Sequence, residues 1–218
     1  KEVKHIDIAS FDARKIISSM EKMSFVSRET ANAANIFNQM IKDENCTIFL
    51  TLAGSTSAGG CMHIYRDMIK YNMVDAVVAT GASIIDMDFF EALGFKHYQG
   101  SQFQDDKELR KNYIDRIYDT YIDEDELQMC DKKICEIADN LEPKSYTSRE
   151  FLNEMGKYLK KNAKKKRLNG HRRGWNHLFW CPRWQNVCSE PGWCPPVVLS
   201  GGERSKRQET HRLITRAG

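Results

Sequence analysis

A chain of 218 residues, 41% hydrophobic and 29% charged, has the length and apolar content for one packed domain and excludes both a short peptide and a multidomain array. Its formal charge of +3 is a near-cancellation of 33 basic and 30 acidic side chains, and its distribution matters more than its total. No apolar run approaches the roughly 20 residues needed to cross a bilayer, and Lys1-Glu2-Val3-Lys4-His5 has no apolar leader character, so the expectation is a cytoplasmic protein without a membrane partner.

Along the chain, Ser10 reads as the N-cap of an amphipathic helix with Ile16, Ile17, Met20 and Met23 on one face. Ser27 opens a second helix, where Ala33, Ile36, Phe37, Met40 and Ile41 recur at helical spacing as a core-facing stripe. Cys46 to Leu52 is a nearly continuous apolar run rich in β-formers, as expected of a strand covered on both faces of a parallel sheet. Small residues from Ala53 to Gly60 form a loop, and Cys61, Ile64, Tyr65, Met68 and Ile69 then return to helical spacing. Val74 to Ala79 is a second buried strand, completing a strand–helix–strand unit. The expected class is α/β, a Rossmann-like parallel sheet with flanking helices.

A second loop, Thr80 to Ser83, follows that strand, and Asp86 to Gly94 reads as a helix closed by its glycine. Beyond Gly100 the spacing of Leu109, Tyr113 and Ile117 predicts one helical stripe, and Ile134, Ile137 and Leu141 predict another behind the acidic turn Asp123–Glu126. Pro143 interrupts the pattern, and Thr147-Ser148-Arg149-Glu150 fits a capping box before a helix carrying Phe151, Leu152, Met155 and Leu159. Lys157, Lys160, Lys161, Lys164, Lys165 and Lys166 crowd its end. Without aromatic interleaving or a basic stripe elsewhere they read as a solvated face, and no nucleic-acid partner is expected.

The composition changes after Lys166. Residues 1–166 hold 24 Lys+Arg against 27 Asp+Glu, with Lys outnumbering Arg 18 to 6, whereas residues 167–218 hold 9 against 3, with Arg outnumbering Lys 8 to 1. The chain is therefore divided into a regular α/β part, 1–166, and an atypical Arg/Trp/Cys-rich tail, 167–218. Zinc could be held there by Cys181, Cys188, Cys194 and His171 or His177. Yet the cysteine gaps are seven and six residues, with no CxxC pair, so no metal is expected. The abrupt switch reads instead as a shifted frame or foreign sequence, non-native or disordered, with an ordinary irregular tail as the alternative.

In an open α/β sheet, ligands gather at the carboxyl ends of the strands, where both small-residue loops fall. Gly54, Gly59 and Gly60 allow close backbone approach, Ser55, Thr56 and Ser57 offer hydroxyls, and the next helix offers N–H groups to a phosphate. The same residues also suit a plain tight connection, and neither a Walker loop nor GxGxxG is present. Behind the second loop, Asp86 or Asp88 could meet ribose hydroxyls or a cationic amine, while Asp86 could equally cap its helix. His63 reads as a surface or core histidine, and Cys61 as a small buried residue rather than a nucleophile.

Cys46–Leu50, the Ser/Gly loop, Tyr71-Asn72-Met73-Val74-Asp75, Ala79–Ala82, Lys107–Asn112 and Asp115-Arg116-Ile117 resemble, in order and spacing, segments of deoxyhypusine synthases. The resemblance spans Ser10 to Lys166. It implies an NAD-dependent transferase that moves the aminobutyl group of spermidine to an acceptor amine, a protein lysine or putrescine, within a homotetramer. By position it implies that Gly54, Ser55, Thr56, Ser57 and Ala58 contact NAD from the first loop, Thr80, Gly81 and Ala82 from the second, with Asp86 beside ribose and polyamine. Ala53-Gly54-Ser55 stands where eukaryotic members have Thr-Ser-Asn, and Ile85-Asp86 where they have Glu-Glu, which moves the likeness to the bacterial deoxyhypusine-synthase-like branch. The family's catalytic lysine has no counterpart: Lys206 has other surroundings, and Trp175 to Trp193 do not reproduce the family's tryptophan motif. No catalytic residue is assigned, and the fold is expected to be incomplete relative to the family. The alternatives are a catalytically dead NAD-binding partner of a full-length homologue and a small zinc-binding protein using the tail.

Overall fold

A computed structural model describes residues 1–162 and the backbone of 197–200. Strand β1, Phe49–Leu52, pairs in parallel with β2, Ala76–Ala79, in the register Phe49↔Ala76 to Leu52↔Ala79. A wide, π-wound turn over Ser57–Cys61 and helix α3, Met62–Lys70, cross between them. This is the expected βαβ unit, and the chain is a mixed α/β protein. After β2 the chain stays helical from α4, Gly81–Ser83, through a π-wound stretch, Ile84–Phe89, to α5, Phe90–Leu93, which Gly94 closes at φ 104°.

Ahead of the unit lie α1, Arg14–Met20, and α2, Phe25–Lys42, packed on each other. Ser10 does not cap α1: its hydroxyl donates to Asp7 O at 2.7 Å, while Asp12 Oδ1 accepts the Arg14 N–H at 2.9 Å. Helix α2 starts after Ser24 rather than at Ser27, and its inner stripe is rotated from the expected one. Ala31 is fully buried while Ala33 and Ile36 face outward, a rotation that a hydropathy pattern does not resolve because two alanines look alike to it.

The region after Gly100 departs further. Helix α6, Asp106–Lys111, is short, and β3, Tyr98–Gln99, β4, Ile114–Ile117, and β5, Thr120–Asp123, form a second, antiparallel sheet in the order β3-β5-β4. The expected stripe Leu109–Tyr113–Ile117 is therefore split. Leu109 is buried in α6, Tyr113 breaks the helix at φ 55°, and Ile117 lies in a strand. Tyr118, at φ 56°, turns the chain into β5 without the Asn-Gly or Asp-Gly signature such a turn usually carries.

Helices α7, Glu124–Asp139, and α8, Ser148–Asn162, close the core. Asp123 caps α7 through the Glu126 N–H at 3.0 Å. The Thr147–Glu150 capping box is formed, with Glu150 Oε2 accepting the Thr147 N–H at 2.8 Å and Thr147 Oγ1 accepting the Glu150 N–H at 3.3 Å. Phe89, Phe90, Cys130 and Met155, each fully buried, join Val77 of β2 and Leu152 of α8 in one apolar cluster. Burial of each phenylalanine contributes about 1.5–3 kcal/mol. The backbone of β6, Val197–Ser200, pairs antiparallel with the other edge of β2. The tail cysteines and histidines, Lys164–Lys166 and Lys206 lie outside the described residues. Among the described residues, no helix is long and apolar enough to cross a membrane.

Candidate functional site

Because β1 and β2 run parallel and in register, the loops leaving Leu52 and Ala79 emerge side by side. They are stitched together. Ser83 Oγ donates to Ala53 O at 3.0 Å, and Thr80, the N-cap of α4, accepts the Ser83 N–H through Oγ1 at 3.3 Å. A Cβ at Gly54 would stand 3.5 Å from Thr80 Oγ1 and 3.7 Å from Ala82 Cβ, so the two loops face each other across one crevice. Gly54, Ser55, Thr56, Thr80, Gly81 and Ala82 are exposed or half-buried along it. Ser57 and Ala58 are not: at 0% and 1% exposure they offer the crevice backbone only.

The wide turn behind the first loop depends on a glycine. Gly60 sits at φ 104°, and a Cβ there would come within 3.0 Å of Lys4 O. The N-terminal segment presses on the back of the loop, where the Ile6 N–H donates to Gly60 O at 3.1 Å.

Four acids surround this region. Asp86 lies inside the helical run, so it caps nothing; Thr80 does. It is half-buried, and burial, then the charge of Asp131 on α7, holds its carboxyl above the usual range. Cys130 is pushed up to about 12, chiefly by burial and then by Asp86 and Asp131, and its Sγ donates to Ile85 O at 3.4 Å. Asp88 is 1% exposed, and burial drives its carboxyl up to about 8, opposed by Ser57 and aided by the charge of Glu91. Ser57 Oγ acts on it only at the margin of hydrogen-bond geometry: neither that oxygen nor Asp88 Oδ1 completes a bond of ordinary length and angle.

Glu91 goes the other way. Burial raises its carboxyl, but His5 Nε2 at 2.7 Å and His97 Nδ1 at 2.6 Å outweigh it and hold the group below the usual carboxylate range. His63 is a buried histidine whose ring centroid lies 4.8 Å from that of His5, and Cys61 is half-buried at the end of the wide turn. Sequence spacing missed Asp131, Glu91, His5 and His97, because each meets its partners through the fold and none stands in a local motif.

An open groove of about 920 Å³ lies elsewhere, between α6, β4 and α7, where Asp115 is raised to about 6 by its hydrogen bond to Glu124. Lys107, Arg110 and Lys111 line the same groove, so its charge is mixed. Among the described residues, no group of three or more His, Cys, Asp or Glu is placed to hold a metal ion.

The family model for deoxyhypusine synthase matches residues 15–168. A deoxyhypusine synthase-like protein of Caulobacter vibrioides is 68% identical over 166 residues, 76% of this chain and 45% of that protein. One of Coxiella burnetii is 65% identical over 164 residues, 75% of this chain and 47% of that protein. A probable deoxyhypusine synthase 2 of Methanosarcina acetivorans is 35% identical over 154 residues, 71% of this chain and 44% of that protein. The chain spans about half the length of the curated relatives it matches. With that identity, and with Ala53-Gly54-Ser55 and Ile85-Asp86 in the loops, the chain belongs to the deoxyhypusine synthase family, on its bacterial deoxyhypusine-synthase-like branch.

Proposed function

We propose that this chain is the nucleotide-binding half of an NAD-dependent transferase that moves the aminobutyl group of spermidine to an acceptor amine in the cytoplasm. The observation that carries the reading is the crevice itself, two small-residue loops stitched together at the carboxyl ends of adjacent parallel strands. Gly54 leaves room where any side chain would narrow the gap to Thr80 and Ala82. That suits the close backbone approach a pyrophosphate needs, with the helical N–H groups after Thr80 directed at negative charge. When bound, NAD supplies a hydride acceptor and donor. Gly54, Ser55, Thr56, Thr80, Gly81 and Ala82 hold it, with Ser57 and Ala58 contributing backbone.

Asp86 and Asp131 take a cationic amine. Their mutual repulsion, which with burial keeps Asp86 above the usual carboxylate range, is relieved by an ammonium group between or beside them. Within this chain the crevice and the two acids bind cofactor and amine, and no residue is assigned the covalent chemistry. The acceptor is a protein lysine or a small diamine such as putrescine.

A second reading makes the chain a binding subunit within a homo-oligomer or beside a full-length homologue. Calorimetric titration tests the first: NAD binds, spermidine binds, and Asp86→Asn weakens spermidine more than NAD. No NAD-dependent stabilisation, together with stoichiometric zinc, overturns it in favour of the tail-borne metal. Mixing the chain with the Caulobacter relative and following spermidine-dependent NAD reduction tests the second, which stimulation supports and silence defeats.

A further inference from the structure

Two oxygens are shut away together behind the first loop. Ser57 Oγ and Asp88 Oδ1 belong to residues 0% and 1% exposed, and neither has a completed hydrogen bond, although buried polar groups as a rule have one. Ser57 opens the wide turn that carries Gly54–Thr56 into α3, and Asp88 comes from the π-wound stretch packed against that turn. The juxtaposition couples the crevice's first wall to the helix beneath its second.

We propose that Asp88 is a positioning residue: its carboxyl group, sealed against Ser57 behind the first loop, holds the Gly54–Thr56 backbone in the conformation that receives a nucleotide phosphate. The proposal rests on the NAD reading for its consequence, but not for its geometry.

The alternative role, a carboxylate that itself meets ribose or amine, does not fit a side chain this deep. Asp86, half-buried and facing Asp131, is the acid within reach of a ligand. A neutral carboxyl can share its proton with Ser57 Oγ as the loop settles, whereas a carboxylate can only accept from that hydroxyl and keeps the full cost of a buried charge, which burial makes the larger effect. Ionised, Asp88 draws water into the contact or pushes the turn away. The groups that act on it are Ser57 from the turn, Glu91 further along its own helical run and Tyr65 from α3. Glu91 is in turn bound by His5 from the N-terminal segment and by His97, and His63 of α3 lies against His5.

The test compares the wild-type chain with Asp88→Asn, whose amide keeps the shape and cannot ionise. Without ligand, hydrogen exchange of the 55–60 amides is read as a pH-matched ratio of the two proteins. The ratio should stay flat to about pH 7 and rise several-fold by pH 9, as the wild-type loop opens and the variant loop does not. NAD affinity, by calorimetry, should fall about tenfold in the wild type between pH 7 and pH 9, following the fraction of competent loop, and stay level in the variant. If the exchange ratio is flat throughout, the positioning role is overturned. If exchange behaves as expected but neither protein binds NAD, the role stands and the NAD reading falls. Should Asp88→Asn fail to fold, Ser57→Ala reads the same contact: loop exchange at pH 7 rises several-fold, and unchanged exchange overturns the proposal.

Discussion

Asp88 and Glu91 stand three residues apart on one helical run, both largely withdrawn from water, yet one is driven up to about 8 and the other is held below the usual carboxylate range. Depth does not separate them; partners do. Glu91 meets two imidazoles, one from the N-terminal segment and one just before β3, and their hydrogen bonds outweigh the burial that would otherwise neutralise it. Asp88 meets a hydroxyl that barely reaches it, together with the charge of Glu91 itself, so burial prevails. The side of the helix that meets the N-terminal segment is thus locked by charge and the loop side by neutrality. Locking by charge resists alkali, and locking by neutrality resists acid.

Removing the charged lock has the largest expected effect. Glu91→Ala leaves two buried imidazoles facing a void, and loss of one partner from a buried, hydrogen-bonded group costs about 3–5 kcal/mol. Urea denaturation at pH 7 measures it, and a loss under about 1 kcal/mol would show that the segment from Lys1 to Ile8 contributes little to stability. Because Glu91 is lowered in the folded chain, its stabilisation is full above the ordinary glutamate value and disappears as pH falls through the lowered one. Glu91→Gln should therefore flatten the acid limb of the stability profile.

The neutral lock gives the opposite slope. Asp88 ordinarily titrates at 3.8 and in the fold at about 8, so the native state binds the extra proton between those values. Stability then declines as pH rises from about 4 to about 8 and levels off above. Asp88→Asn removes the decline, and its advantage over the wild type should grow across that window to roughly 2–4 kcal/mol, less than the full titration energy because the amide also seeks partners. Parallel profiles would mean that Asp88 is already hydrated. Smaller again is Gly60→Ala, which forces a side chain into φ 104° and against Lys4 O at 3.0 Å. Its expected cost is about 1–3 kcal/mol, with faster exchange of the Ile6 amide that donates to Gly60 O.

The parts of this architecture legible in sequence are those written in local chemistry. The apolar runs of β1 and β2, the Thr147–Glu150 box and the glycine closing α5 each declare themselves within a few residues. The second sheet is hidden because its turns use Tyr113 and Tyr118 at positive φ, where nothing in the residue type signals a reversal, and because i, i+4 spacing of Leu109, Tyr113 and Ile117 imitates a helix. The loops of the crevice are visible as small residues, but the acids are not sorted. Asp86 and Asp88 look equivalent in sequence, and only the fold separates them, leaving Asp86 half-buried near the charge of Asp131 and Asp88 sealed beside Ser57. His5 and Glu91, separated by 86 positions, are joined by the fold alone.

Gly54 carries the smallest expected change in stability and separates most sharply the two roles open to the first loop. As a tight connection, the loop needs glycine for its turn; as a phosphate cradle, it needs glycine for the empty space. The backbone at Gly54 is not in the left-handed region, and a Cβ there meets Thr80 Oγ1 and Ala82 Cβ at 3.5 and 3.7 Å, ordinary contact distances. Gly54→Ala should therefore leave thermal stability within about 0.5 kcal/mol of the wild type. The added methyl nevertheless stands between the two loops, where in the proposed reading a pyrophosphate lies against backbone. NAD affinity should fall at least about tenfold, about 1.4 kcal/mol, with spermidine binding at Asp86 and Asp131 less affected. A destabilised variant would assign Gly54 to the turn, whereas a stable variant with undiminished NAD affinity would move the phosphate away from the first loop and leave Thr80–Ala82 to hold it.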